Sequence, residues 1–174
     1  TPIASFARIK PEEAEKGGGT AAGKQIKCWD EAGRIEMSTN RVGKTKVYDR
    51  LSAVIPPDAT QETVYNMIAA PLVQRFIEGY DCDLLSYGQT GSGKTYTMFG
   101  PPFSMAKAAA AVEEGSSDGG LVKPEHGFVL RAGLDVLDAV ARIEASGDKA
   151  CVHGCMVELS IQSFQEQSVR DLLK

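Results

Sequence analysis

The chain has 174 residues, 43% of them hydrophobic and 24% charged, which suits one globular domain with a real core and excludes a wholly disordered chain. A net charge of −4 argues against a basic nucleic-acid-binding domain. No apolar run approaches the ~20 residues of a membrane span, and the first ten residues hold no signal-peptide-like apolar segment.

Residues 3–9 read as a strand ending at Lys10-Pro11. Residues 12–23 are charged and then glycine-rich, a loop composition. Residues 24–29 and 34–38 suggest a small hairpin about Glu31-Ala32-Gly33, and 44–51 a further strand. Pro56-Pro57-Asp58 breaks the chain. A helix is expected from just after Asp58 or Thr60, since Asp58 and Gln61 have capping-box spacing. Val64, Met67, Ile68, Leu72 and Phe76 fall on one of its faces, Pro71 should kink it or locally loosen it, and Gly79 should close it. Residues 82–87 then read as a strand leading into glycine-rich sequence.

A second long helix is signalled by Val129, Leu130, Leu134, Leu137 and Ala141, with Val136, Val140 and Ile143 beside them, and Gly147 ends it. Residues 150–164 look like a long strand or a bent pair, and 169–173 like a short apolar tail. Between the two helices, residues 101–120 are alanine-rich and then Gly/Ser-rich, the composition of a surface insertion.

Four cysteines, Cys28, Cys82, Cys151 and Cys155, form no C-x-x-C pair. Cys151, His153 and Cys155 alternate and would share one sheet face, but no second ligand pair with zinc spacing exists. Reduced thiols in or near a core are the favoured reading, which points to a reducing, cytosolic compartment.

One segment carries chemistry. Gly88-Gln89-Thr90-Gly91-Ser92-Gly93-Lys94-Thr95 fits G-x-x-x-x-G-K-[ST] without a mismatch. Glycines let the backbone curl so that several N–H groups point at one concavity, where phosphate oxygens bind. The N–H groups of residues 91–96 fall there, at the positive end of the following helix. Lys94 supplies a mobile ammonium that reaches β- and γ-phosphates, and the Thr95 hydroxyl is a hard oxygen ligand for Mg²⁺. That helix has only residues 95–99 before Gly100-Pro101-Pro102 stops it.

The block from Tyr87 through the phosphate loop to Tyr96-Thr97-Met98 resembles the kinesin motor domain almost letter for letter. Arg8-Ile9-Lys10-Pro11 resembles the family's R-x-R-P motif, with Lys10 for the second arginine. Tyr48-Asp49-Arg50 resembles its F-D-R strand. Gln61-Glu62-Thr63-Val64-Tyr65 and Ile77-Glu78-Gly79-Tyr80 resemble the ends of the helix before the loop, and Val169-Arg170-Asp171-Leu172-Leu173 its I-x-D-L-L stretch.

The resemblance implies an α/β fold of the P-loop NTPase type, three layers (αβα) about a central, mostly parallel or mixed sheet. It implies that residues 1–174 are the N-terminal half of a motor domain, with 101–120 as the family's loop beside the nucleotide pocket. ATP or ADP with Mg²⁺ would be the cofactors. Arg8 and Pro11 would line the adenine and Tyr96 would stack on it; Gly88, Gln89, Thr90, Gly91, Ser92, Gly93, Lys94 and Thr95 would hold the phosphates, with Mg²⁺ at Thr95. The implied function is an ATP-dependent microtubule motor of the cytoplasm and cytoskeleton, with hydrolysis coupled to microtubule binding. Microtubule contacts would lie in the part of the domain not in this chain, and the resemblance allows a homodimer through a coiled coil outside it. No nucleic acid or membrane span is implied.

Four departures bear on this. Lys123-Pro124 replaces the family's Pro-Arg, and Ser163 and Gln165 replace the Glu and Tyr of its E-I-Y strand. The N-x-x-S-S-R-S-H and D-L-A-G-S-E switch sequences do not occur in these residues, so no catalytic base can be named and this chain alone is not expected to be competent. Two alternatives stay open: a kinesin-like nucleotide-binding module without hydrolysis, and an unrelated P-loop NTPase or kinase.

Overall fold

The computed structural model describes residues 3–11, 26–30, 33–38, 45–101, 123–146, 158, 162–165 and 168–171. The loop expected at 12–23, most of the 101–120 segment, Gly147, and the Cys151, His153 and Cys155 group lie outside the described residues. By contacts the chain forms two units, 1–132 and 133–174.

In the first unit, strand β1 (Phe6–Arg8) pairs in parallel with β5 (Ala53–Ile55), in the register Phe6 to Ala53 and Arg8 to Ile55. The pairing continues one step beyond, where the Ile9 N–H donates to the Ile55 carbonyl at 3.0 Å. Strands β2 (Ile26–Asp30), β3 (Arg34–Ser38) and β4 (Thr45–Tyr48) make an antiparallel sheet in chain order. This contains the expected hairpin, turned at Gly33, whose φ of 109° only glycine adopts freely. A Cβ there would also lie 2.1 Å from the Leu51 carbonyl oxygen.

Strand β5 was not foreseen. Its three residues are too few to show a period, yet Val54 and Ile55 are almost wholly buried. The expected strand at 82–87 is corrected. No strand is assigned there, and Leu85 and Tyr87 are 89% and 95% exposed. Its apolar composition suits a strand, but among the described residues no neighbouring strand takes up its N–H and C=O groups.

Helix α1 (Gln61–Ile68) is capped by Thr60, whose hydroxyl accepts from the Thr63 N–H at 3.1 Å. Thr60, rather than Asp58, is therefore the cap, and Gln61 does not reach back to close a capping box. Helix α2 (Ala70–Ile77) begins after the single hinge residue Ala69, with Pro71 in its first turn. Proline has no N–H to donate into the preceding turn, so the expected kink becomes a break between two helices. Gly79, at φ 94°, ends the second as expected. Removing the cap with Thr60→Ala is expected to cost about 1 kcal/mol; an unchanged urea midpoint would contradict that role for the hydroxyl.

The core joins Ile55, Val64, Tyr65, Ala69 and Phe128, with Phe6, Ile68, Met98 and Ala132 packed against it. Tyr65 and Phe128 meet edge to face, ring centres 6.0 Å apart, a preferred aromatic geometry. Met67 and Phe76, placed on the apolar face by spacing, are 43% and 56% exposed. The buried face of α1 runs through Gln61, Val64 and Tyr65, and Met67, two residues on from Tyr65, falls outside it.

Helix α3 (Lys94–Phe99) is short and stops at Gly100. Helix α4 (Phe128–Ala145) starts in the first unit and supplies the beginning of the second. Within that second unit, β6 (Gln162–Gln165) and β7 (Ser168–Asp171) form an antiparallel hairpin. The stretch expected to be a tail is thus a strand. The architecture is α/β, with the described strands forming three separate sheets.

Gly100 and Gly127 bring the end of α3 and the start of α4 into backbone contact. A Cβ on Gly127 would sit 2.6 Å from Met98 C and Phe99 N, and one on Gly100 would sit 2.6 Å from the Glu125 carbonyl oxygen. The turn before α4 is fastened by Arg131, which donates to the carbonyls of His126 (3.0 Å), Pro124 (3.1 Å) and Lys123 (3.3 Å).

Candidate functional site

The phosphate-loop sequence leads into α3, and its backbone takes the conformations its glycines allow. Gly91 and Gly93 have φ of 81° and 94°, and Gly93 is the residue immediately before the helix. No atom lies within 4 Å of a Cβ at either position, so the requirement there is for backbone conformation and not for space. Gly88 differs: a Cβ would fall 2.5 Å from the Ser92 hydroxyl oxygen. The loop folds on itself through the Ser92 N–H, which donates to the Gln89 carbonyl at 3.1 Å.

The Lys94 ammonium curls back over the loop. It donates to the carbonyls of Gly88 at 2.7 Å and Gln89 at 2.8 Å. Lys10, just after β1, reaches the loop tip from the other side and donates to the Gly91 carbonyl at 3.3 Å. A cavity of about 430 Å³ lies between them. It is lined by Thr90, Gly91 and Gly93 of the loop, by Lys94, Thr95 and Tyr96 of α3, and by Lys10. Two ammonium groups and a glycine-shaped backbone thus border one concavity, an arrangement suited to a polyanion. The exposed Thr95 hydroxyl on the same wall fits a hard cation.

Arg8 stands beside this cavity, against the outer wall of Tyr96. Its guanidinium carbon is 5.6 Å from the centre of the Tyr96 ring, within cation–π range. Its Nη1 donates to Gln61 Oε1 at 2.6 Å and to the Thr97 hydroxyl at 2.9 Å, and Nη2 donates to the Ala59 carbonyl at 3.4 Å. Burial lowers the Arg8 pKa from its ordinary value, and the neighbouring Tyr96 phenol partly offsets this. Pro11 is exposed and is not part of the cavity wall.

Sequence reasoning missed Gln61 and Thr97 as site residues, and set Lys10 aside as a substitution. A signal for Gln61 was present. It shares the helical face of Val64, Tyr65 and Ile68, and a polar residue on an apolar face needs partners. Thr97 had no such signal, because its partner Arg8 is 89 residues away.

Among the described residues no group of three or more His, Cys, Asp or Glu is placed to hold a metal. No helix among them is long and apolar enough to cross a membrane.

The chain is 39% identical over 101 residues to the kinesin-like protein KIF15 of Rattus norvegicus, covering 57% of this chain and 7% of that protein. Against the kinesin heavy chain isoform 5C of the same species it is 52% identical over 58 residues, 33% of this chain and 6% of that one. With the kinesin-like protein CIN8 of Saccharomyces cerevisiae identity is 41% over 78 residues, 41% of this chain and 8% of the relative. The matched segments therefore span less than a tenth of these relatives' lengths. The sequence profile described as Kinesin motor domain matches residues 8–174, and with the loop, its two flanking ammonium groups and Arg8 in place, the chain belongs to the kinesin motor domain family.

Proposed function

We propose that residues 1–174 form the N-terminal half of an ATP-driven microtubule motor domain, carrying the nucleotide-binding loop, with residues 101–120 as an insertion beside the pocket. The observation that carries this is the pair of ammonium groups, Lys10 and Lys94, flanking a loop whose shape depends on Gly88, Gly91 and Gly93.

In this reading the loop amides from Gly91 to Tyr96 grip the phosphates, with Gln89, Thr90 and Ser92 shaping the turn that presents them. Lys94 exchanges its two carbonyl partners for phosphate oxygens, which are stronger acceptors because they are charged. Thr95 would hold Mg²⁺, which supplies charge neutralisation between the β- and γ-phosphates. Arg8, Pro11 and Tyr96 would form the base subsite, with the Tyr96 ring as its stacking surface. The β1–β5 pair is the parallel seed from which a central sheet in a three-layer αβα fold would grow. The phosphate loop would then lie at the carboxyl ends of its strands, where such sheets bind ligands. By family, the microtubule is the partner and the cytoskeleton the location, with self-association through a coiled coil outside these residues.

The test is phosphate release by the intact protein, with and without microtubules. Turnover that rises on adding microtubules is expected. Tight ADP binding with no turnover under either condition would replace the motor by a nucleotide-binding module. No nucleotide binding at all would end the reading.

A further inference from the structure

Gln61 is the buried polar residue of the described core, 3% exposed, and every polar group of its amide is engaged. Its Oε1 accepts from Arg8 at 2.6 Å. Its Nε2 donates in two directions, to the Tyr96 carbonyl at 2.5 Å and to the Glu125 carbonyl at 3.3 Å. A single side chain thus joins four pieces of structure: the end of β1, the start of α1, the middle of α3 and the turn that leads into α4.

The chemistry of this junction is specific to a neutral amide. Two carbonyl oxygens and one cation converge on it, so it must present two donors and one acceptor at once. A carboxylate would face the two carbonyls without a proton to give, and an apolar residue would remove one hydrogen bond from each of the three groups. The surplus of Arg8 contacts shows what is being held. The guanidinium is fixed by Gln61, Thr97 and the Ala59 carbonyl, with its carbon over the Tyr96 ring at 5.6 Å from the ring centre.

We propose that Gln61 is a positioning residue for the base subsite: by holding the Arg8 guanidinium beside the Tyr96 ring, and the Tyr96 backbone to the Glu125 turn, it sets the grip on the nucleotide base and leaves the grip on the phosphates alone. The phosphate side is set apart because Lys94 and Lys10 bond to loop carbonyls and not to Gln61, which meets α3 at the Tyr96 carbonyl, past the amides from Gly91 to Thr95. The inference rests on the nucleotide-binding reading given above.

The experiment compares two probes on the intact protein by titration calorimetry: ADP, which carries a base, and tripolyphosphate, which does not. The Gln61→Met variant keeps the length of the side chain and removes its hydrogen bonds. It is expected to weaken ADP by about tenfold, as fits loss of a hydrogen bond to a charged group. Tripolyphosphate should stay within about twofold. Thr97→Val removes a second Arg8 acceptor without touching the hydrogen bonds to the Tyr96 and Glu125 carbonyls, and should weaken ADP alone by about threefold. This second variant decides the matter if Gln61→Met fails to fold. Equal losses for both probes, or unchanged ADP affinity in the folded variants, would overturn the proposal. Failure of the parent reading looks different: the unmodified protein would bind ADP no more tightly than tripolyphosphate.

Discussion

Lys94→Ala is expected to weaken ATP and ADP binding by at least about a hundredfold. A charge-assisted contact is typically worth ~1.5–3 kcal/mol, and each 1.4 kcal/mol is a factor of ten. The ammonium has room for two such contacts, because it already holds two carbonyls at 2.7 and 2.8 Å. Lys94→Arg should not rescue it. A guanidinium is a planar fork and does not fit where a compact ammonium sits between the adjacent carbonyls of Gly88 and Gln89. Calorimetric affinities within threefold of the parent for the alanine variant would remove Lys94 from the site.

A second large effect is expected at the meeting of α3 and α4. Gly127→Ala places a methyl 2.6 Å from the backbone at Met98 and Phe99 and 2.7 Å from Gly100 N. Backbone atoms cannot rotate aside as a side chain can, so the two helices must separate. Phe128, a member of the core next in sequence, would move with them. The expected loss is about 1–3 kcal/mol, the usual range for overpacking. Gly133→Ala, in α4 itself, is the counterpart with opposite sign. Nothing lies within 4 Å of its Cβ, and alanine favours a helix over glycine by up to ~1 kcal/mol. Urea unfolding of both variants checks the pair, and a shift in the same direction for both would refute the steric argument.

What could be read from the sequence was what is written in consecutive residues. The phosphate loop is such a case, since its shape follows from Gly91 and Gly93 within a run of eight. The β2–β3 hairpin and the break at Pro71 are others, each set by local backbone chemistry. The residues at 82–87 were misread because strand formation depends on a neighbour as much as on composition. Strand β5 was missed for the opposite reason: it is three residues long and exists through its pairing with β1. Arg8 was singled out by family likeness alone, and its hydrogen-bond network was not legible. Its contacts join residues 53 and 89 apart, a separation that no local pattern encodes. Gln61 was noticed for its spacing and assigned to a cap, because a polar residue in a first turn is usually read that way.

The contact between Gly100 and Gly127 has a consequence in polymer terms. The chain leaves α3 and returns to α4 through nearly the same point, so residues 101–126 close a ring whose ends are already joined. The entropy of closing such a ring rises only with the logarithm of its length, about 0.6 kcal/mol for each doubling. On closure entropy alone, residues added to the middle of this ring cost the fold little. In that one respect the length of chain between α3 and α4 is nearly free.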